Sequence, residues 1–366
     1  MAATTGLVIA SALVLAGCSS ATTTATSGTA TTAAADYSAL SGTITAGGSS
    51  AQANAQAAWS TAFTAQATNV VVNYDKSQGS GGGVTNWTAG SYDFAGSDSP
   101  LSATQQTAAA TLCGPTGAMN LPIYLDGVAV VFNLPGVTNL NLTADTLAKI
   151  FALQITTWND PAIAAENPTA TLPATAITTV TRSDGSGTTA TFTKYLNEVA
   201  PTVWTTAPGS AWPIAGTSAQ KGTAGIVSAV TAGVGTIGYA DHSQIAKLTS
   251  ASIETAKGTF SPFSVDGTSA AFAAAATTAT STVAGDLAQT VDYKKITGAD
   301  MYAIPLVSYG ILCSTFATPA QAELAKGYLG FIASATGQAV AAKNAGAAQI
   351  PANLLAEIQT SLALVK

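Results

Sequence analysis

The sequence predicts an α/β protein large enough to form two lobes. Its 366 residues are long for one compact domain and suit two lobes of about 150 residues each. Hydrophobic residues make up 47% of the chain, which is enough for sizeable cores. From Gly42 onward, short apolar segments typical of strands alternate with stretches typical of helices. This alternation predicts the α/β class.

The strands and helices of this pattern follow from local signals. Strands are predicted at 42–46, 69–74, 92–94, 128–132, 176–181 and 235–239. Helices are predicted at 51–67, 142–151, 319–335 and 338–343, with a further helix that ends at about 199. Trp59 and Phe63 lie four residues apart on one face of the first helix. Thr143 and Thr318 are expected to cap two of the others, with Pro319 at a first helical position.

The N-terminal segment predicts export and a lipid anchor. Residues 6–16 are apolar but too short to span a bilayer, and they lead into Leu-Ala-Gly-Cys18, which is typical of a bacterial lipoprotein processing site. No Lys or Arg precedes Cys18, which is unusual for such a signal. We expect 1–17 to be a signal peptide, Cys18 to be lipidated, and 18–41 to be a tether rich in Thr, Ala and Ser. The protein would then be extracytoplasmic and anchored to the cell membrane.

The three cysteines leave a pair once Cys18 is assigned to the anchor. Cys113 and Cys313 form an even pair, and an oxidising compartment favours disulfides. From the sequence, a disulfide and two isolated buried thiols are equally open.

Composition and charge exclude several classes of function. Charged residues are only 8% of the chain, and the net charge is −6. Nucleic acids are held by clustered Lys and Arg, so we expect no nucleic-acid partner. A single histidine, His242, excludes a metal centre built from several histidines, and no cofactor is expected.

Three loops share one design, in which a strand ends, small residues follow and a helix begins. They lie at 47–50, 79–82 and 184–188, and the chain after the second is predicted to turn helical through Asn86. Helix starts leave N–H groups unpaired and carry positive partial charge, glycine admits a ligand close to the backbone, and hydroxyl groups add donors. The loops therefore predict an anion site, although each alone is also compatible with an ordinary helix cap.

Two charged residues refine this prediction. Arg182 precedes the third loop and offers a planar fork of five donors to an anion. The alternative is a surface or structural ion pair, for example with Asp184. Asp98 follows a predicted strand, and an ionised carboxylate only accepts hydrogen bonds. It would accept the proton of a protonated phosphate and repel sulfate, unless it serves only as a turn or capping residue. The nucleotide pattern GxxxxGK[ST] is absent, since Lys221 lies outside it.

The chain resembles the phosphate-binding protein of bacterial phosphate ABC transporters from about Gly42 into the C-terminal helices. The most specific similarities lie at 92–102 and 182–188, with further ones at 131–136, 155–160, 211–214 and 235–239. The resemblance implies a two-lobed periplasmic-binding-protein type II fold, each lobe a mixed sheet flanked by helices, with the ligand between the lobes. Lobe 1 would combine 42–122 with 306–366, and lobe 2 would be 123–305.

The resemblance also implies which residues contact phosphate. Carried over position by position, they are Ser50, Ser80, Asp98, Arg182, Asp184, Ser186, Gly187 and Thr188. The carboxylate of Asp98 would accept the proton of the ligand, and Asp184 would orient Arg182. The first loop departs from the family, because Ala51 and Gln52 replace the usual aromatic-proline pair after Ser50. In the second loop, Gly81 replaces a common second serine.

These observations predict a monomeric, non-catalytic receptor that binds inorganic phosphate and delivers it to the permease subunits of an ABC importer. One alternative is a secreted phosphatase-like enzyme with the same anion cradle, which would need an activated nucleophile or metal ions. Another is a receptor for a different oxyanion or a phosphonate. Asp98 argues against sulfate and molybdate, and only ligand competition separates phosphate from a phosphonate.

Overall fold

The computed structural model describes residues 36–366, and Tyr37–Lys366 form one compact unit. The predicted signal peptide, Cys18 and the part of the predicted tether before residue 36 lie outside the described residues. Within the described part, no helix is long and apolar enough to cross a membrane. Strands and helices alternate along the chain, so the predicted α/β class is confirmed.

Fourteen strands lie in the described part of the chain. They are β1 (Ser41–Gly48), β2 (Asn69–Asp75), β3 (Phe94–Ser97), β4 (Ala118–Asn133), β5 (Asn141–Leu142), β6 (Thr178–Arg182), β7 (Ser218–Gln220), β8 (Thr236–Asp241), β9 (Thr249–Ser250), β10 (Ser252–Ala256), β11 (Thr259–Ser261), β12 (Ala276–Thr278), β13 (Gln289–Val291) and β14 (Pro305–Cys313).

Eleven α-helices accompany these strands in the same described residues. They are α1 (Ala53–Thr64), α2 (Gly79–Thr88), α3 (Ala103–Cys113), α4 (Ala144–Phe151), α5 (Pro161–Glu166), α6 (Gly187–Val199), α7 (Gly222–Ala232), α8 (Val265–Ala275), α9 (Pro319–Ile332), α10 (Ala335–Ala345) and α11 (Ala352–Leu362).

One mixed sheet runs through the molecule in the order β2-β1-β3-β14-β4-β8-β6-β7, with β9 also paired to β4. The 16-residue strand β4 links its two parts. From Ala118 to Gly127 it pairs antiparallel with β14, and from Val128 to Asn133 it pairs antiparallel with β8. The exact division of the chain into lobes at 122 and 306 stays a prediction.

The parallel strands of the first part bring their carboxyl ends to one edge of the sheet. Strand β1 pairs with both β2 and β3, and Gly48 lies opposite Gly96. Gly48 has a φ of +131°, and a Cβ there would lie 2.2 Å from the carbonyl oxygen of Gly96. A side chain at Gly48 would therefore separate the two strand ends. The loops that follow β1 and β3 consequently lie side by side.

Several local predictions are confirmed and others are wrong. The hydroxyls of Thr143 and Thr318 cap α4 and α9, each accepting from the backbone N–H three residues later in the sequence.

The third strand lies at Phe94–Ser97 rather than at 92–94. The break between the last predicted helices also lies earlier, because Ser334 caps α10 by accepting from Gly337 N at 3.1 Å. Gly337 therefore lies inside α10 rather than between two helices.

Cys113 and Cys313 are joined by a disulfide in the structure, with an S–S distance of 1.99 Å. Cys113 ends α3 and Cys313 ends β14. The bridge therefore ties a helix from the first third of the chain to a strand near its C-terminus.

Two carboxyl groups are buried together beside the linking strand β4. Asp126 and Asp241 are both 0% exposed. The hydroxyl of Tyr124 lies 2.8 Å from Asp126 Oδ2 and 3.2 Å from Asp241 Oδ1, and the Ser243 N–H also reaches both carboxyls. Burial raises the pKa of both groups, and the charge of Asp126 raises the pKa of Asp241 further. The pair therefore retains a proton at a pH where a solvated aspartate is ionised.

This pair should make the protein less stable as the pH rises. A carboxyl whose pKa is raised in the folded state binds more protons there than in the unfolded state. Its contribution to the free energy of unfolding is therefore complete below about pH 4, the pKa of an unfolded aspartate, and is lost as the pH rises through the folded pKa. We expect Asp126→Asn to raise the melting temperature at about pH 8 and to flatten its decline from about pH 5. Exposed Asp300→Asn is the control. Identical declines in both variants would contradict the assignment.

Candidate anion-binding site

The second and third predicted loops meet each other. Gly81 N donates to the carbonyl oxygen of Gly185 at 2.8 Å, and Asp98 N donates to Ser80 Oγ at 3.1 Å. A Cβ on Gly187 would lie 2.7 Å from both Asp98 Cβ and Ser80 Oγ. The first turns of α2 and α6 therefore approach Asp98 from opposite parts of the sheet.

The first loop places two adjacent hydroxyls in different surroundings. Ser49 Oγ donates to Asp98 Oδ1. Ser50 Oγ lies 2.9 Å from Thr223 Oγ1 and accepts from Thr223 N at 3.2 Å. The sequence predicted Ser50 as a ligand contact and missed both Ser49 and Thr223. The adjacent hydroxyl of Ser49 was visible in the sequence. The contact of Ser50 with Thr223, which lies in the first turn of α7 and 173 residues away, had no local signal.

The carboxylate of Asp98 is bonded from both parts of the sheet. Its Oδ1 accepts from the hydroxyls of Ser49 and Ser308, the latter at 2.6 Å. Its Oδ2 accepts from Thr188 Oγ1 at 2.9 Å. Burial raises the pKa of Asp98, while these three hydroxyls and the charge of Arg182 act in the opposite direction. Ser308 lies on β14 and was not predicted from the sequence.

Arg182 is the one arginine in the whole sequence, and its side chain is only 3% exposed. Its Nε donates to Asp184 Oδ1 at 2.7 Å and its Nη2 donates to Asp184 Oδ2. Burial alone would raise the pKa of Asp184, but the hydrogen bonds and charge of Arg182, together with Gly222 N–H, lower it. Asp184 uses two of the five guanidinium donors, so three N–H groups remain for a ligand.

Tyr239 supports the Arg182 loop from behind. Its hydroxyl accepts from Arg182 N at 3.3 Å and lies 2.6 Å from Thr189 Oγ1. The ring stacks on Phe192, with centroids 4.6 Å apart. The sequence similarity at 235–239 therefore marks a residue that packs beneath the third loop.

The third loop begins α6 with a capped helix start. Ser186 Oγ accepts from Thr189 N at 3.1 Å, and Ser186 N donates to the carbonyl oxygen of Ser210 at 2.9 Å. The amides of Gly187 and Thr188 lie in the first turn, where N–H groups have no acceptor within the helix. Ser186 thus keeps a hydroxyl proton to donate, and the two amides supply further donors.

All eight predicted phosphate contacts are brought into this region. Seven are buried and Asp184 is partly buried. Five of them are in contact or adjacent in sequence: Ser80, Asp98, Ser186, Gly187 and Thr188. Arg182 and Asp184 form a bonded pair next to this group, and Ser50 follows Ser49, which bonds Asp98. Among residues 36–366, no cluster of His, Cys, Asp and Glu has the arrangement to hold a metal ion. The arrangement offers N–H and O–H donors, one guanidinium and one accepting carboxylate, which is the chemistry of a site for a protonated oxyanion.

Comparison with known proteins places this chain in a family. Residues 19–336 match the PBP superfamily domain. The phosphate-binding protein PstS 3 of Mycobacterium tuberculosis is 37% identical over 320 residues, which cover 86% of this chain and 85% of that protein. PstS 3 of Mycobacterium leprae is 35% identical over 294 residues, 78% of each chain. The chain therefore belongs to the PBP superfamily and, within it, to the family of the phosphate-binding proteins PstS.

A solved structure supports the fold assignment. The putative phosphate ABC transporter substrate-binding protein from Clostridium perfringens, solved with bound phosphate, superposes with a TM-score of 0.60 at 16% identity. The match covers 85% of this chain and 100% of that chain. The predicted periplasmic-binding-protein fold and the family resemblance are thus confirmed.

The close approach at Gly187 gives a test of the site's geometry. We expect Gly187→Ala to lower the free energy of unfolding by about 1–3 kcal/mol, because the added methyl overlaps Asp98 and Ser80. Gly209→Ala is a matched control, since a Cβ at Gly209 meets nothing within 4 Å. Urea unfolding of the two variants measures the difference, and equal stabilities would show that Gly187 is not tightly packed.

Proposed function

We propose that this chain is an extracytoplasmic receptor that binds inorganic phosphate between two lobes and delivers it to the permease subunits of an ABC importer. The observation that carries the proposal is the burial of the only arginine, Arg182, beside the buried carboxylate of Asp98 at converging helix starts. The phosphate-binding names of the relatives support the same ligand.

The proposed contacts divide the recognition of phosphate into two tasks. Arg182 and the helix N–H groups neutralise the negative oxygens, while the Asp98 carboxylate accepts the remaining proton of the ligand. Sulfate has no proton to offer at neutral pH, so its oxygen would face the carboxylate repulsively. The proposed phosphate contacts are Ser50, Ser80, Asp98, Arg182, Asp184, Ser186, Gly187 and Thr188.

Binding is proposed to favour closure of the lobe 42–122 with 306–366 on the lobe 123–305. Hydrogen bonds already join segments of these two lobes, from Ser50 to Thr223 and from Thr188 to Asp98. A ligand that contacts both sides stabilises the closed form through its extra contacts there. The receptor would act as a monomer without covalent chemistry, held at the membrane by a lipid on Cys18.

Calorimetric titration of the purified, anion-free protein with phosphate and with sulfate tests the proposal. We expect one phosphate per chain with a Kd of about a micromolar or tighter, and no response to sulfate. A folded protein that binds no phosphate would overturn the proposed function. Turnover of a phosphate ester that is lost on chelation would instead favour the phosphatase alternative.

Replacing Asp98 by Asn should weaken the discrimination between phosphate and sulfate. The amide nitrogen can donate to an unprotonated oxygen, whereas the carboxylate can only accept. We expect Asp98→Asn to bind sulfate measurably and to bind phosphate about tenfold more weakly. Asp93→Asn is the control, because Asp93 is a partly buried carboxylate that bonds Thr45 N instead. Unchanged discrimination in the Asp98 variant would remove its proposed role.

Removing the guanidinium should abolish most of the affinity. We expect Arg182→Ala to weaken phosphate binding about 100-fold, because charge-assisted hydrogen bonds are lost. Arg182→Lys keeps the charge but loses the fork that Asp184 holds, so its affinity should lie between those of the wild type and the alanine variant. Calorimetry measures all three proteins, and normal binding by Arg182→Ala would place Arg182 outside the site.

A further inference from the structure

A chain of buried hydrogen bonds leads from helix α9 to the Asp98 carboxylate. The Tyr328 hydroxyl donates to Gln56 Oε1 at 2.9 Å, and Gln56 Nε2 donates to Gln52 Oε1 at 2.8 Å. Gln52 Nε2 donates to Ser308 Oγ at 2.7 Å, and the Ser308 hydroxyl donates to Asp98 Oδ1 at 2.6 Å. The five residues are between 0% and 5% exposed, so water does not compete for these bonds.

The direction in which these hydrogen bonds donate is fixed at Gln52. Its Nε2 also donates to the carbonyl oxygen of Tyr309 at 3.0 Å, and a carbonyl only accepts, so the amide nitrogen must face that side. Ser308 Oγ therefore receives an N–H and must direct its own proton elsewhere. The proton can reach Asp98 Oδ1 at 2.6 Å or the carbonyl oxygen of Ser97 at 3.1 Å. The shorter bond to the charged acceptor is the stronger one.

This row of hydrogen bonds acts on Asp98 by occupying one of its two carboxylate oxygens. Oδ1 accepts from Ser308 and Ser49, whereas Oδ2 faces Thr188 at the start of α6. We propose that Gln52 is a positioning residue for phosphate recognition, which works through Ser308 to keep Asp98 ionised and to present its Oδ2 to the proton of the ligand. This inference rests on the proposed phosphate site.

Gln52 immediately precedes α1, so its bond to Ser308 ties the start of this helix to the Asp98 carboxylate. A side chain without a hydrogen-bond donor at this position could not make the bond to Ser308. The link from the start of α1 to Asp98 therefore depends on the amide of Gln52.

The net effect of its surroundings is to raise the pKa of Asp98, so the three hydroxyls that donate to its carboxylate matter for its ionisation. Burial opposes ionisation, and so does the charge of Asp241, whereas Arg182 favours ionisation. The other titratable groups near Asp98 are Tyr74 on β2 and, around the adjoining cavity of about 230 Å³, Lys194, Tyr293 and Tyr309. Lys194 donates to the carbonyl oxygen of Val291 at 2.6 Å, which directs its ammonium group to the backbone rather than to Asp98.

The test compares phosphate affinity at two pH values in matched variants. Ser308→Ala removes the donor to Asp98, and Gln52→Leu removes the group that orients it. Gln338→Leu is the control, because Gln338 is also a buried glutamine bonded to backbone carbonyls, at Ile123 and Ile332. Ser308→Thr should restore the hydroxyl and with it the wild-type profile.

We expect losses that are greater at acid pH. At about pH 5.5, phosphate should bind about tenfold more weakly to Ser308→Ala and about threefold more weakly to Gln52→Leu than to the wild type. At about pH 8 both should lie closer to wild-type affinity, since a higher pH favours the ionised form of Asp98 in every variant. Free phosphate changes its protonation state between the two pH values, but this change is the same for all the proteins and cancels when variants are compared at one pH. Losses that are equal at both pH values, as expected from a packing defect, would overturn the inference.

A second measurement separates this inference from the proposed function. In ligand-free protein with ¹³C-labelled aspartate, the Asp98 carboxyl signal is assigned by its disappearance in Asp98→Asn. We expect its titration midpoint to lie higher in Ser308→Ala and Gln52→Leu than in the wild type and Gln338→Leu. A midpoint unchanged in the two variants would overturn the inference even if the wild type binds phosphate. A wild type that binds no phosphate would refute the ligand, while the midpoints would still report the role of Gln52.

Discussion

The buried carboxylate of Asp98 is the constraint on which the geometry of this site depends. A charge removed from water is costly unless hydrogen bonds replace its hydration. Here the replacements are the hydroxyls of Ser49, Ser308 and Thr188, which lie after β1, on β14 and at the start of α6. Three distant segments must therefore end within hydrogen-bond reach of one group, and the relative placement of the two parts of the sheet follows from that requirement.

The charges at the site do not by themselves attract an anion. Arg182 carries one positive charge, while Asp184 and Asp98 carry one negative charge each when ionised. Attraction must therefore come from the N–H groups at the starts of α2 and α6 and from the proton that the ligand brings. A site of this kind selects by hydrogen-bond pattern more than by charge, which is consistent with a chain whose net charge is −6.

The sequence predicted what local signals encode. Alternating patterns gave the α/β class, and threonines at helix starts gave the caps of α4 and α9. Glycine and hydroxyl residues marked the three loops. Contacts between distant residues had no such signal, as with Ser308, which lies 210 residues from Asp98. Helix α3 was missed because its small Ala and Thr residues show no apolar stripe, and only Ala109 and Cys113 are buried.

The uniqueness of Arg182 has a practical consequence for observing this protein at work. A reagent selective for guanidinium groups has one target in the whole chain, and that target is almost completely covered. The fraction of molecules that gain the mass of one adduct would then measure how often Arg182 becomes exposed. If ligand binding closes the two lobes as proposed, the labelling rate would fall on addition of phosphate, without any mutation or attached probe.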